Sequence, residues 1–267
     1  VSVLNWTIHI PSYLRDRVLT WENLPPSLQE RTVIWTGTNY QEIQRLCPTA
    51  QVIATSIQGA GGPIVKQHIL EQSLTHFKDD VCVLLDDDLQ FQYGRIEAGV
   101  KRFKKASSKE IEQGFADCLN KVAECLGFVC LGTPFFNKEP AKWVLNKKGC
   151  YAFFIKHTIR IETGASFSGV PTMGDVHFCL GTATKGYGSA LHSRLVAVDS
   201  SKSSTGGESA VSYRGDRHEQ AIKILQEKWP KYVKDRLAEN NQRHRDNVGT
   251  VQDVTIYFSR AVKDHSK

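Results

Sequence analysis

Three consecutive aspartates, Asp86, Asp87 and Asp88, leave the wholly apolar run Val81-Cys82-Val83-Leu84-Leu85. Neighbouring carboxylates repel one another, and a hard divalent cation placed among them is the natural relief. Successive residues of an extended chain point to opposite sides, so Asp86 and Asp88 share one side and Asp87 takes the other. That is a DxD arrangement, in which Mn²⁺ or Mg²⁺ bridges carboxylates and a nucleotide diphosphate. The plain alternative is a solvated acidic turn or a helix cap.

Other residues suit the same chemistry. Lys66 falls in the first turn of an expected helix, behind Gly61-Gly62, where amides and a cation can meet phosphate together; a solvent-facing lysine is the alternative. Pro11, Ser12 and Tyr13 with Arg15 can hold a nucleobase and ribose, or be no more than a turn. In the polar stretch 199–209 (DSSKSSTGGES), Gly206 and Gly207 permit close backbone approach to phosphate, and Tyr213-Arg214 follow as an aromatic and a guanidinium. Asp175, behind Met173-Gly174, stands at a helix start, either as its cap or as a general base.

These side chains need a frame. Strands are expected at Trp6–Ile10, Thr32–Trp35, Gln51–Thr55, Val81–Leu85, Gly149–Ile161 and Leu191–Val198. Pro25-Pro26 confines helix to the flanks of 18–30. Ile64, His68, Ile69, Gln72 and His76 predict a helix from Ile64 to about Phe77. Ser107 and Glu110 have capping-box spacing ahead of the stripe Ile111, Phe115, Cys118, Val122 and Leu126. Further helices are predicted over Asp175–Lys185, closed by Gly186, and over Arg217–Leu237, interrupted at Pro230. Strands alternating with helices, one of them apolar throughout, imply an α/β fold: a mostly parallel central sheet with helices on both faces, in a single domain. Ligands of such sheets bind at the carboxyl ends of the strands, where the clusters around Ser12, Lys66 and Asp86 fall.

At 267 residues with 40% hydrophobic and 23% charged side chains, the chain can bury a sizeable core and is neither fibrous nor disordered. Thirty-four Lys and Arg against 28 Asp and Glu leave a formal charge of +6, compatible with a polyanionic partner but also with ordinary enzymes. Seven cysteines without CxxC spacing read as buried thiols rather than a disulfide frame or zinc site. No apolar run reaches the ~18 residues of a membrane span, and no secretory leader is evident, so a soluble cytoplasmic protein with no membrane partner is expected.

The order strand-PSYxR, GGPxxKQ, apolar strand-DDDL and MGDVHFCL resembles the nucleotide-diphospho-sugar (GT-A) glycosyltransferases. More narrowly, GDVHFCLGTATKGYG, the SSTGG loop with SYR, and AIKILQEKWPKYV are similar to the TET-associated glycosyltransferases, a family of DNA phages and eukaryotic chromatin-associated proteins. The resemblance spans roughly Ile8 to Val233. It implies a GT-A domain over 1–240 with an extension, 241–267, packed on it or trailing. It implies a divalent metal on Asp86 and Asp88, with Asp199 as third ligand, and Asp87, Lys66 and Gln67 at the donor. It also implies Asp175 as the base of an inverting transfer, with Gly174 where the usual Glu-Asp pair has its glutamate. For phage members it implies transfer from a UDP-sugar, of the UDP-glucose or UDP-GlcNAc class, to 5-hydroxymethylcytosine in DNA, in the host cytoplasm. The basic run Lys101 to Lys105 and the aromatics Phe135, Phe136 and Trp143 suit such an acceptor with a flipped base. A protein or saccharide hydroxyl is the alternative acceptor, and a non-catalytic nucleic-acid or nucleotide-sugar binding module the second alternative.

Overall fold

The computed structural model describes residues 4–37, 39–57, 60–97, 100–124, 126–134, 142–200, 216–236 and 253–266. The first half carries β1 (Trp6–Ser12), α1 (Leu19–Asn23), α2 (Pro26–Gln29), β2 (Thr32–Thr36), α3 (Tyr40–Leu46), β3 (Gln51–Ala54), α4 (Gly62–Thr75) and β4 (Val81–Leu85). Next come β5 (Leu89–Glu97), β6 (Val100–Lys105), α5 (Ser108–Val122), β7 (Phe128–Gly132), β8 (Trp143–Leu145), β9 (Ala152–Lys156) and α6 (His157–Thr163). The chain continues through α7 (Gly174–Ala183), β10 (Ser189–Asp199), α8 (Arg217–Lys228), β11 (Val233–Arg236), β12 (Asp253–Ile256) and α9 (Phe258–His265).

Among the described residues ten strands form one sheet in the order β3-β2-β1-β4-β9-β7-β10-β5-β6, with β8 beside β10. Strands β3, β2, β1, β4, β7, β10 and β6 run one way and β9, β5 and β8 the other, so the sheet is mostly parallel. Helices cover both faces, as expected. On one face Cys82 and Leu84 pack with Ile69, Leu70, Val176, Leu180, Ile222 and Phe258, from α4, α7, α8 and α9. On the other, Val81, Val83 and Leu85 pack with Trp21, Leu28, Ile43, Phe115 and Val122, from α1, α2, α3 and α5. Strand β4 is therefore buried on both sides, which is why its sequence is apolar without alternation.

Two expected elements differ. The stretch 149–161 is extended only over β9. Its continuation from His157 is α6, which ends at Gly164 in the left-handed region (φ 64°). The expected helix to Leu237 stops at α8, because Pro230 cannot continue it, and the chain then forms β11. The pair β11 and β12 is antiparallel, and Val254, Phe258, Ala261 and Val262 enter the core, so residues 253–266 are built into the domain. The capping box of Ser107 and Glu110 is present. Cys47, Cys82, Cys118, Cys130 and Cys179 are buried thiols and Cys150 is half-buried; Cys125 lies outside the described residues. No described helix is long and apolar enough to cross a membrane.

A polar network ties the start of β4 to its neighbours. The carboxylate of Asp79 accepts from Thr7 Oγ1 (2.8 Å), His9 Nε2 (3.0 Å) and Ser73 Oγ (2.7 Å). Trp35 Nε1 donates to His9 Nδ1, which leaves the proton of that ring on Nε2, facing Asp79. Ser73 Oγ also lies 3.1 Å from His157 Nε2. Burial, aided by Arg160 and His9 and opposed by Asp79 and Asp80, pushes His157 from 6.5 to about 4. The unfolded chain therefore takes up this proton first as the pH falls. The stabilisation is complete above pH 6.5 and is lost, by up to about 3 kcal/mol, between 6.5 and 4. His157→Gln should flatten this part of the stability profile when urea unfolding is compared at pH 7 and 4.5. An unchanged slope would refute the assignment.

Candidate functional site

The acidic turn leaves β4 at the carboxyl edge of the sheet, and its three carboxylates have different surroundings. Arg15, from the loop after β1, is buried; its Nε donates to Asp87 Oδ2 (3.1 Å) and its Nη2 to Asp88 Oδ2 (2.9 Å). Lys66, at the start of the second turn of α4, pairs with Asp86 Oδ1 at 2.6 Å. Asn39 Nδ2 donates to the carbonyl of Arg15, itself braced by Thr36 Oγ1, so β2 helps to aim the guanidinium. Thr20 of α1 fastens the turn by donating from Oγ1 to the carbonyl of Asp86 and from its amide to that of Asp87, while its Oγ1 accepts from the amide of Leu89.

Burial pushes Asp87 up to about 7, against the pull of Arg15. Burial first, then the charges of Asp199 and Asp86, push Asp88 up to about 6. Asp199 ends β10 opposite Leu89, and the next residue, Ser200, donates from both N and Oγ to the carbonyl of Asp88. Asp88 thus feels the charges of both Asp86 and Asp199 at one edge. Among the described residues no three metal-ligating side chains form a closed cluster. Two carboxylates and a ligand's phosphate oxygens are, however, the usual way of holding Mg²⁺, and the donor set is of that hard-oxygen kind.

Across the edge stands Asp175. The N-cap of α7 is Met173, without a side-chain cap bond, so Asp175 sits inside the first turn instead of capping the helix. Its Oδ2 lies 3.6 Å from Lys148 Nζ. Gly174 leaves no room for a side chain: a Cβ there would lie 2.8 Å from both the carbonyl of Phe167 and Pro63 Cβ. The glutamate expected beside the aspartate is thus excluded by close packing of α7 on α4. The segment 148–151 joins the two halves. Tyr151 accepts from the amide of Asp86 through its carbonyl (2.9 Å), and its phenol feels Asp199, Asp86 and Lys148. The thiol of Cys150, pushed up to about 12 by burial, feels Lys148, Asp175, Asp86 and Lys66 together.

Backbone strain gathers here. Leu14 (φ 51°), Tyr151 (φ 64°) and Met173 (φ 60°) hold left-handed conformations that bulky residues avoid, beside Arg15, Asp86 and Asp175 respectively. Each costs roughly 1–3 kcal/mol, a pattern that marks functional sites. Among the described residues, three buried hydroxyls along the same edge, those of Ser12, Thr133 and Thr172, have no hydrogen-bond partner. Groups of that kind call for a ligand or water.

The structure thus brings together Arg15, Lys66, Asp86, Asp87, Asp88, Asp199 and Asp175, and places Ser12 at their edge. Pro11 is half-buried within β1, and Tyr13 follows it, half-buried. The guanidinium of Arg15 is engaged by the acidic turn, not held out toward a base and ribose. Gln67 faces the 166–168 turn, its Oε1 accepting from Ser166 Oγ and the amide of Phe167, and its Nε2 donating to Glu71. Gly206, Gly207, Tyr213 and Arg214 lie outside the described residues, as do Phe135 and Phe136. Trp143 packs on His192, which Asp117 accepts from, at some remove from the acidic turn. Lys148 and Tyr151 carried no sequence signal: neither belongs to a spacing pattern, and contacts across the fold alone single them out.

No protein-family model and no curated protein matches the chain. Among solved structures it is similar to S. aureus TarS 1-349, with 10% identity over 85% of this chain and 72% of that one and a TM-score of 0.49. A197 from STIV shows 15% identity over 73% and 85%, TM-score 0.40. Mannose-1-phosphate geranyltransferase from Thermus thermophilus shows 14% over 57% and 50%, TM-score 0.36. Likenesses at these scores leave the chemistry to be read from the residues themselves.

Two stability outcomes follow from the geometry. Arg15→Met strands a buried carboxylate and should cost roughly 3 kcal/mol in urea unfolding, well above Lys66→Met at its more open pair. Gly174→Ala should cost about 1–3 kcal/mol by overpacking against Phe167 and Pro63. Equal losses for the two cation variants, or a neutral alanine, would contradict these placements.

Proposed function

We propose that the protein is a metal-dependent glycosyltransferase of the GT-A type, which moves a sugar from a nucleotide-diphosphate sugar of the UDP class to a hydroxyl acceptor. The observation that carries the reading is the meeting, at one carboxyl edge, of a cation-countered acidic turn with a separate carboxylate, Asp175, on the facing helix start. Asp86 and Asp88 would hold the divalent ion, with Asp199 nearby. The ion supplies counter-charge to the diphosphate as it leaves.

The chain's own groups account for the remaining work. Lys66, near the start of α4, can turn from its partner Asp86 to a phosphate oxygen of the donor. The orphan hydroxyl of Ser12 offers one contact for a ligand at this edge. Asp175 takes the acceptor's hydroxyl proton. The acceptor oxygen bonds to the anomeric carbon while that carbon's bond to the diphosphate breaks, and the diphosphate departs with the electron pair. A base acting opposite the leaving group makes this a single displacement with inversion.

The acceptor in this reading is 5-hydroxymethylcytosine in DNA, supported by the motif resemblance, the net charge of +6 and the basic strand β6, where Arg102, Lys104 and Lys105 are exposed. The test is incubation with Mn²⁺, a panel of nucleotide sugars, and hydroxymethylated or plain duplex. Sugar should pass only to the hydroxymethylated duplex, vanish in chelator, and fall on the order of 10²-fold or more in Asp88→Asn. DNA affinity should drop steeply with salt as counterions are released. Transfer undiminished in chelator would overturn the metal site. A flat salt response with transfer to a peptide or saccharide would move the acceptor to that class, and donor binding without transfer to anything would leave a binding module.

A further inference from the structure

We infer that Lys148 is the positioning residue for the carboxylate of Asp175; this rests on the reading of Asp175 as base. Lys148 Nζ lies 3.6 Å from Asp175 Oδ2, and no other described side chain pairs with that carboxylate. An ammonium on one oxygen selects the side-chain rotamer and leaves Oδ1 to receive the acceptor's proton. The proton then goes to Oδ1 as the acceptor oxygen closes its bond to the anomeric carbon and the diphosphate takes the bonding pair from that carbon. A lysine is suited to this because its charge acts without itself losing a proton.

The backbone around Lys148 is anchored on both sides, which a positioning role requires and a wandering surface lysine would not show. Ser189 Oγ donates to the carbonyl of Lys147 at 2.6 Å, and the amide of Asn146 to the carbonyl of Ser189 at 2.9 Å. On the other side the amide of Gly149 donates to Cys179 Sγ, on the helix that carries Asp175. Gly149 is also walled in: a Cβ there would fall 2.3 Å from Cys130 Sγ and 2.9 Å from Phe153. The residues on either side of Lys148 are thus tied to β10 and to α7, two elements that bound the site.

A purely stabilising role fits less well. The two side chains are 36% and 27% exposed, and ion pairs that open to water add little to folding. Among the described residues the thiols of Cys150, Cys130 and Cys179 also feel the charge of Asp175, and burial keeps them in the uncharged form. Among the described residues Lys148 is therefore the cation that pairs with Asp175, and Asp175 in turn raises the affinity of Lys148 for its proton.

The experiment is a double-mutant cycle on the full chain: Lys148→Met, Lys148→Arg, Asp175→Asn and the Met/Asn pair. The readouts are transfer from UDP-glucose and then the other nucleotide sugars to hydroxymethylated DNA in Mn²⁺, with Mn²⁺-UDP affinity and Tm alongside. Lys148→Met should lower kcat about tenfold to a hundredfold with donor KM, UDP affinity and Tm nearly unchanged, and Lys148→Arg should recover most of the loss. In the Asp175→Asn background Lys148→Met should cost nothing further. An equal cost in that background, a raised donor KM at constant kcat, or a fallen Tm with the rate per folded molecule intact would overturn the inference. So would normal turnover of Lys148→Met beside an inactive Asp175→Asn, which leaves the base reading standing. Normal turnover of Asp175→Asn, or a wild-type chain that transfers from no donor, removes the base reading and this inference together.

Discussion

Strand β4 is buried on both faces and bears aspartates at both ends, and the placement of its neighbours follows from satisfying those carboxylates. A carboxylate out of water needs a full set of donors or a counter-charge. The two ends meet that requirement differently. At the start, Asp79 is surrounded by a threonine, a histidine and a serine, which draw β1 and α4 onto the strand with no cation in direct contact. At the exit, Arg15 and Lys66 supply charge from the loop after β1 and from the start of α4. Both ends recruit the same two neighbours, so the pairing of β1 with β4 and the seat of α4 are each secured twice.

The difference between the ends separates scaffold from site. A network of neutral donors has one good arrangement and little reason to change. Ion pairs at a half-open edge can be exchanged, because a metal or a phosphate offers each partner an equivalent charge. Strain is distributed in the same sense. Leu14, Tyr151 and Met173 lie at the exit, where their left-handed backbones hold side chains and carbonyls that relaxed turns would place elsewhere. Of the five described non-glycine residues with left-handed backbones, only Lys78 adjoins the start of β4.

Much of the frame was legible in the chain. The unbroken apolar run before Asp86 marks a strand covered on both faces, and the capping box at Ser107 marks the start of α5, because both signals are local. The parts that escaped depend on contacts far apart in sequence. Nothing near Arg15 says that its guanidinium is drawn into the acidic turn some seventy residues away, and the pairing of Lys148 with Asp175, though closer in sequence, likewise joins segments on different elements. The switch from β9 to α6 at His157 escaped because Ile155, Ile159 and Ile161 fit an extended pattern as well as a helical one; burial of His157 against Ser73 decides it. A cap was one of the two readings open to Asp175 because its spacing allows one, yet the left-handed Met173 already turns the chain into α7.

Gly174 carries a consequence of a different order. With hydrogen in place of a side chain, the first turn of α7 abuts Pro63 in the first turn of α4, so the separation of Lys66 from Asp175 is gauged by atoms in contact and not by the reach of a loop. A gauge of this sort has no adjustment. Two helix starts locked together act as a single jaw, and a substrate of another size cannot be accommodated by spreading them. Descendants of this chain that came to handle a bulkier ligand would have to change the wall around β10, while leaving the glycine in place.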